Sequence, residues 1–332
     1  MRVLARSNNW KQFLIRSFLL FAVVVIVLGL GYSYFFGPVE RYGAQEQFIV
    51  NPGETVSFVS DRLTEERFVR STVAFRIALF EKAGTALVRP GGYNLSRDMD
   101  TLTIAKILSS PPPIAFVTFP PSIRKEQIGE ILADTFFWDA EKKRQWHDAT
   151  TNVDPDFVEG MYYPDIYLIP SDQPPAQIAA RMRGRFTDVF APFANDALMQ
   201  GLDWHDVLTL ASIVDREAAK NDKALVAGIL WNRLHTGMRL QADATLQYVK
   251  GTEGNWWAPP QAEDKYIDSP FNTYKYAGLP PHPINNPTLD SIAAVLHPEA
   301  TKCLYYLHDE NHVIHCSVTY AGQKANVKKH LQ

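Results

Sequence analysis

The sequence is poor in cysteine, and this scarcity excludes two kinds of small domain. Two cysteines in 332 residues cannot build a disulfide-rich scaffold or an all-cysteine zinc site. Cys303 begins one strand-like run and Cys316 ends another, and residues 309–311 between them are predicted to form a turn. A hairpin centred on that turn would place the cysteines roughly opposite each other. A cross-strand disulfide and a pair of reduced, partly buried thiols therefore both remain open.

Several functional patterns are also missing. The chain has no basic block or stripe with interleaved aromatic residues, so we do not expect it to bind nucleic acid. It has no cluster of ligands with metal-site spacing, so we expect neither a metal nor an organic cofactor. It has no G-x-S-x-G motif, which makes a serine hydrolase the weakest interpretation. A net charge of −3 and a hydrophobic content of 46% are typical of an ordinary folded protein.

One long apolar run is present near the N-terminus. Residues 17–36 contain no charged side chain, and 20 residues at the helical rise span roughly 30 Å, the thickness of the hydrocarbon core. Four basic residues precede the run: Arg2, Arg6, Lys11 and Arg16. The positive-inside rule predicts a cytoplasmic tail at residues 1–16 and an N-terminus inside the cell. We expect a single-pass protein of the inner (cytoplasmic) membrane whose remaining chain is periplasmic or extracellular. The length of the run disfavours a cleaved signal peptide, the alternative.

Residues 45–110 predict a small module that mixes strands and helices. Short strands are predicted at 48–50 and 93–95, and helices are predicted between and after them. Two strands around helices in so few residues indicate a compact α+β module. The triple proline at 111–113 is predicted to end it. Glycan binding and a spacer role, holding the rest of the chain off the bilayer, both remain open.

The most informative stretch is a predicted helix over residues 203–217, with Asp203 as its N-cap. Glu217 follows three apolar residues at seven, four and three positions, so its carboxylate lies on their side of the helix. These residues are Leu210, Ile213 and Val214. Desolvation by apolar neighbours raises the pKa of a carboxyl group, and a general acid needs such a pKa. The simpler alternative to a desolvated Glu217 is a glutamate at the edge of the apolar stripe whose long side chain reaches water. Asp215 flanks the same stripe, so periodicity does not choose between the two acids.

Three other stretches carry side chains that suit sugar hydroxyl groups. On an extended segment, alternation would place the polar residues of 241–245 on one face. The loop 159–165 is dense in aromatic residues, which stack on sugar rings, and residues 272–274 add amide and hydroxyl groups. The candidate substrate-binding residues are Gln241, Asp243, Thr245, Tyr248, Asn272, Thr273, Tyr274 and Tyr163. The simpler explanations are a solvated strand face for residues 241–245, buried tyrosines for the loop 159–165 and turn capping for residues 272–274.

Taken in order, five segments resemble the endolytic murein transglycosylases, the YceG-like family. The matching residues are Glu159–Met161 with Pro164 and Asp165, Ala211–Glu217, Asn232–Leu234 with Gly237–Thr245, Asn272–Tyr274 with Gly278–Pro281, and Tyr320 with Ala325–Val327. They cover most of residues 114–330. Two positions depart from the family pattern: Ala244 stands where proline is common, and Gln323 where histidine is common.

The resemblance implies an α+β fold with a transmembrane helix at 17–36, a LysM-like module at 45–110 and a YceG-like catalytic domain at 114–332. It also implies a lyase that cuts the MurNAc–GlcNAc bond within peptidoglycan glycan strands and leaves 1,6-anhydro-MurNAc ends. The family pattern makes the second of the paired acids, Glu217, the catalytic residue. Peptidoglycan synthases are the partners that the family suggests, with termination of nascent strands as the role.

Two other functions remain open at this stage. A muramidase that uses water would need a second carboxylate across the cleft, and Asp243 or Asp165 is the candidate. A non-catalytic peptidoglycan-binding or cell-division scaffold protein would bind glycan without releasing a product.

Overall fold

A computed structural model describes residues 9–83, 87–154 and 158–331 of the chain. It is a mixed α+β structure, which confirms the predicted class. The chain divides into two compact units. The first comprises Met1–Phe116 and Leu168–Ser171, and the second comprises Val117–Tyr167 and Asp172–Gln332.

The first unit begins with a long apolar helix, α1, at Asn9–Phe36. Its segment Phe13–Phe36, 24 residues long, is apolar and long enough to cross a membrane. The predicted span at 17–36 falls inside this segment. Half of the predicted cytoplasmic tail, residues 1–8 with Arg2 and Arg6, lies outside the described residues.

The rest of the first unit is a sheet covered by three helices. Its elements are β1 at Gln45–Val50, α2 at Val56–Glu65, α3 at Thr72–Ala83, β2 at Gly91–Ser96 and α4 at Thr101–Ser109. Strands β1 and β2 pair antiparallel, with Gln45 opposite Ser96 and Val50 opposite Gly91. Two further strands, β3 at Ile114–Thr118 and β4 at Ile166–Pro170, extend the sheet in the order β1-β2-β3-β4. The core between sheet and helices is apolar and includes Phe48, Leu63, Phe75, Leu95 and Ile104.

The second unit is mainly helical. Its helices are α5 at Lys125–Phe136, α6 at Ala140–Thr151, α7 at Pro175–Met199, α8 at Trp204–Glu217, α9 at Lys223–His235, α10 at Asp243–Lys250, α11 at Leu289–Leu296 and α12 at Tyr320–His330, with a 3-10 turn at Ala262–Tyr266. Helix α8 is the central element, because every residue from Val207 to Val214 is buried. It packs against α7, α9, α10 and α11. As predicted, Asp203 caps its first turn, accepting from the amide of His205 at 2.8 Å.

One local prediction is wrong. Residues 241–245 were expected to be extended, but α10 begins at Asp243 and only the residues before it are non-helical. Ala244, Thr245 and Leu246 are buried, so packing of this short helix overrides the strand-like alternation. Asp243 stands in the first turn, where the helix dipole favours a negative charge. Gln241, just outside the helix, has a positive φ of 49°.

A two-stranded hairpin precedes the last helix. Strand β5 at Tyr305–His308 pairs antiparallel with β6 at Ile314–Ser317, around the turn predicted from the sequence. Cys303 and Cys316 form a disulfide bond across it. Tyr306 lies directly opposite Cys316 in the ladder. Gln323 of α12 donates from Nε2 to the Tyr306 carbonyl at 2.9 Å, so hairpin and helix are connected at that residue.

Candidate active site

Glu217 is the last residue of α8, and its carboxylate is held at both oxygens. Oε1 accepts from the backbone amide of Ala244 at 2.9 Å, and Oε2 accepts from the hydroxyl of Tyr306 at 2.9 Å. The residue is half-buried. Three segments that are far apart in the sequence, namely α8, α10 and β5, therefore meet at one carboxyl group.

The surroundings of Glu217 favour its neutral form. Burial raises the pKa of this carboxyl group, and the negative charge of Asp243 adds to the rise. The hydrogen bonds from Ala244 and Tyr306 act in the opposite direction and do not cancel the effect of burial. Burial and the charge of Glu217 also raise the pKa of Tyr306, so its hydroxyl keeps its proton and remains a donor. A raised pKa, as at Glu217, is what general-acid catalysis by a carboxyl group requires.

Asp215, the other acid of the pair, is bound in a different way. Its side chain is 1% exposed, and Lys223 donates to it at 3.1 Å. The hydroxyls of Ser122, Thr288 and Ser291 donate to it as well. Burial alone would raise the pKa of Asp215, but these three hydroxyls and the ammonium outweigh it and lower the pKa. A carboxylate so fully bonded stays ionised and connects α8 with its neighbours, so Asp215 lacks the raised pKa that Glu217 has.

Asp243 lies near enough to Glu217 for its charge to raise the pKa of that acid. Asp243 is exposed and accepts from the hydroxyl of Tyr274 at 2.6 Å. Gln241 is exposed two residues earlier. Burial raises the pKa of Tyr274, with Asp243 and Glu217 adding to the rise, so this hydroxyl too remains protonated. The structure thus places the carboxylate of Asp243 and the hydroxyl of Tyr274 near Glu217, and the exposed Gln241 stands two residues before Asp243 in the chain.

Three other candidates are buried and shape the backbone instead. Thr273 accepts at Oγ1 from the amide of Ala242 at 3.0 Å and pairs with the Thr245 hydroxyl at 2.9 Å. Asn272 is fully buried and donates from Nδ2 to the carbonyls of Lys265 at 3.1 Å and Ile267 at 2.8 Å. Their hydrogen bonds fix the loop beside α10, and so they set the positions of Gln241 and Asp243.

The aromatic candidates pack into the unit. Tyr248 is half-buried, with its ring 4.9 Å from that of Phe271 and the guanidinium of Arg124 4.1 Å from its centroid. Tyr163 is half-buried against the main core cluster, and its carbonyl accepts from Tyr167 at 2.7 Å. At its centre, the loop 159–165 fits the simpler explanation, which is a folded turn with a buried tyrosine.

The acids at the two ends of that loop both accept hydrogen bonds. Glu159 is fully buried and accepts from the Lys125 amide at 3.2 Å and from Asn286 Nδ2 at 2.9 Å. Burial raises the pKa of Glu159. Asp165 accepts from Arg185 Nε at 3.1 Å.

Comparison with known proteins identifies the family. A sequence model described as the YceG-like family matches residues 48–329. The chain belongs to the YceG-like family. The resemblance stated from the sequence is thereby confirmed.

Relatives of this YceG-like chain have been named and one has been solved. An endolytic murein transglycosylase from Streptococcus pneumoniae is 26% identical, and the match covers 98% of this chain and 66% of the relative, so the chain spans about two thirds of that protein's length. One from Bacillus subtilis is 28% identical, over 78% of this chain and 77% of the relative. A crystal structure of a YceG-like protein from Listeria monocytogenes shares the fold, with a TM-score of 0.61 and 24% identity over 85% of this chain and 98% of that one.

Sequence reasoning missed two residues at the site of this YceG-like protein. Tyr306, the donor to Glu217, stands in the strand-like run after Cys303, where no local pattern marks it. Arg233 is buried on α9 and donates to the carbonyls of Leu304 and Leu240, one on each side of the site. A positive charge buried in an apolar helix is the one signal that could have drawn attention to Arg233.

Among the residues that the structure describes, one cluster has metal-ligating chemistry. Ligand atoms of Asp309, His315 and His330 lie within 4.8 Å of one another. The two imidazole rings are stacked face to face, with centroids 3.5 Å apart and planes at 17°. The lone pairs of stacked rings run nearly parallel, so they do not converge on one ion. His315 Nε2 instead forms a hydrogen bond with Asp309 Oδ2 at 2.9 Å.

Proposed function

We propose that this YceG-like protein is a membrane-anchored endolytic lytic transglycosylase. It cleaves the MurNAc–GlcNAc bond within peptidoglycan glycan strands and leaves 1,6-anhydro-MurNAc ends. The proposal rests on one observation at Glu217. Burial raises the pKa of its carboxyl group, and hydrogen bonds hold both of its oxygens. The names of the pneumococcal and Bacillus relatives supply the substrate class.

The chemistry needs one carboxyl group that works twice. Glu217 first gives its proton to the glycosidic oxygen as that bond breaks towards an oxocarbenium-like state. The resulting carboxylate then takes the proton of the muramyl 6-hydroxyl, whose oxygen bonds to the anomeric carbon of the same sugar. No water is consumed, and the proton count on Glu217 is restored. Attack within one sugar ring gains the entropic advantage of an intramolecular reaction.

The neighbours of Glu217 support both steps. The Tyr306 hydroxyl and the Ala244 amide stabilise the carboxylate that exists between the two proton transfers. We assign hydrogen bonding to sugar hydroxyls to Asp243 and Tyr274, which lie near the acid, and to Gln241, which is exposed two residues before Asp243.

The anchor and the first unit complete the proposal. Helix α1 holds the protein in the cytoplasmic membrane, with its N-terminus in the cytoplasm and the second unit outside. We assign a LysM-like, glycan-facing role to the module at residues 45–110. An enzyme anchored there and cutting within new strands ends their elongation beside the synthases that make them.

The test is a digest of purified peptidoglycan by the full chain in detergent, analysed by mass spectrometry. We expect anhydro-muropeptides from the wild type and none from Glu217→Gln, with an unchanged melting temperature. Glu263→Gln, which alters an exposed acid of the 3-10 turn, is the matched control and should retain activity. Retained activity in Glu217→Gln would remove the assignment.

The same digest separates the proposal from a muramidase. Asp243 lies next to Glu217 and is exposed, so it is the carboxylate that would direct water. Hydrolysis adds one water to the product, whereas the anhydro product is one water lighter. Products of the hydrated mass that disappear in Asp243→Asn would establish the muramidase. Binding of glycan without either product would indicate a scaffold protein.

A further inference from the structure

Helix α3 is apolar on two opposite sides. One side fills the core of the first unit with Ala74, Phe75, Ala78 and Leu79. The other side carries three larger apolar residues that are exposed: Val73 by 62%, Ile77 by 54% and Phe80 by 68%. A spacing of four and then three residues places these three on one stripe of the helix. A surface helix normally has polar residues there, so the stripe indicates an apolar surface that covers it.

The start of α3 is tied to the end of the apolar helix α1. Arg70, two residues before α3, donates to the carbonyls of Tyr34 at 2.9 Å and Val39 at 3.1 Å. Its guanidinium lies 5.0 Å from the Tyr34 ring centroid. Thr101, the first residue of α4, donates to the carbonyl of Phe35 at 3.4 Å. Aromatic residues at the end of a membrane span lie at the headgroup level, so the first turn of α3 lies at that level too.

Positive charge is found at the same place. Arg67 and Arg70 line a hollow beside Tyr34, together with Thr64. Guanidinium groups at the headgroup level match the negative phosphates of lipids. The apolar stripe, the aromatic end of the span and the two arginines are thus combined within one unit.

We propose that the stripe Val73, Ile77 and Phe80 is seated in the bilayer that α1 crosses, at the boundary between headgroups and acyl chains. This inference rests on the membrane anchor in the proposed function. Helix α3 has 12 residues and is ~18 Å long, and interfacial helices bury their apolar face about 5–10 Å deep. The first unit then lies against the membrane, with α3 as a second contact besides the span.

Site-directed spin labels in the full chain, reconstituted in vesicles of phosphatidylethanolamine and phosphatidylglycerol, test this arrangement. The two native cysteines are joined, so a single new cysteine takes the label. Labels at Ile77→Cys and Phe80→Cys should collide several-fold more with oxygen, which concentrates in lipid, than with a water-soluble nickel chelate. Asn94→Cys, an exposed polar position on β2, should show the reverse preference. Ile26→Cys in the middle of α1 provides the reference for lipid.

Each other outcome overturns the proposal in a recognisable way. Labels at 77 and 80 that behave like the label at 94, while the label at 26 reports lipid, mean that the anchor stands and the stripe is in water. Labels at 77 and 80 that are shielded from both reagents mean that a protein surface covers the stripe. A water-like label at 26 removes the anchor as well. The catalytic proposal is not affected by any of these readings, because its digest measures a different unit.

Discussion

Removing the hydroxyl of Tyr306 tests how the acid at position 217 is controlled. The variant Tyr306→Phe keeps the ring but loses the donor to Glu217 Oε2, while the Ala244 amide still holds Oε1. A hydrogen bond to a charged group contributes about 1.5–3 kcal/mol. Losing it shifts the balance from ionised to neutral Glu217 by a factor of roughly 10–150. The pKa of Glu217 therefore rises further in the variant.

The assay is the release of anhydro-muropeptides as a function of pH. A general acid must be protonated, so activity falls as the pH rises through the pKa of Glu217, and this basic limb should move to higher pH in Tyr306→Phe. The rate at the optimum should fall because the carboxyl group is less well oriented. Tyr305→Phe is the matched control, because adjacent residues of a strand face opposite sides. Among the described contacts, Glu217 accepts a hydrogen bond from Tyr306 and not from Tyr305. An unmoved limb in Tyr306→Phe, or an equal shift in Tyr305→Phe, would refute this reasoning.

Three further changes have defined outcomes. Asp215→Asn removes the buried partner of Lys223 and should lower the free energy of unfolding by about 3–5 kcal/mol in denaturant titration. Folding lowers the pKa of Asp215, so its contribution to the free energy of unfolding is present above the unfolded-state pKa and is lost as the pH falls through the folded-state pKa. Acid should therefore destabilise the variant less than the wild type. Reducing the Cys303–Cys316 bond, with its separation of 13 residues, should cost about 3 kcal/mol, and a serine double variant should not respond to reductant. Asn272→Ala frees three backbone carbonyls and the amide of Tyr274 and should speed amide exchange in its loop, whereas unchanged protection would contradict the structural role.

Local patterns in the sequence were enough for several parts of the fold. The cap at Asp203 and the apolar spacing up to Glu217 predicted α8, and the turn between the cysteines predicted the hairpin. These features depend on residues within a few positions of one another. The run 241–245 shows the limit of such patterns, because its strand-like alternation gave way to the packing of α10.

The candidate site depends on contacts that no local pattern contains. Tyr306 is 89 residues from Glu217, and Ala244 is 27 residues from it. Asp215 was distinguished from Glu217 by Ser122 and Thr288, which lie 93 and 73 residues away. A single sequence carries periodicity over short distances, whereas pairing at these separations appears only when the segments are folded together. The family resemblance, rather than periodicity, selected Glu217 at the sequence level.

The hydrogen bond from Tyr306 makes Glu217 dependent on a segment that is synthesised 89 residues after it. A polypeptide that ends before residue 306 contains the whole of α8 but lacks one of the two donors on the carboxylate. Tyr306 lies on β5, so this donor is in place only once the β5–β6 hairpin has folded against α8. A chain that is still being synthesised therefore carries a Glu217 with one donor, and the second donor arrives only when the segment around Tyr306 has folded against α8.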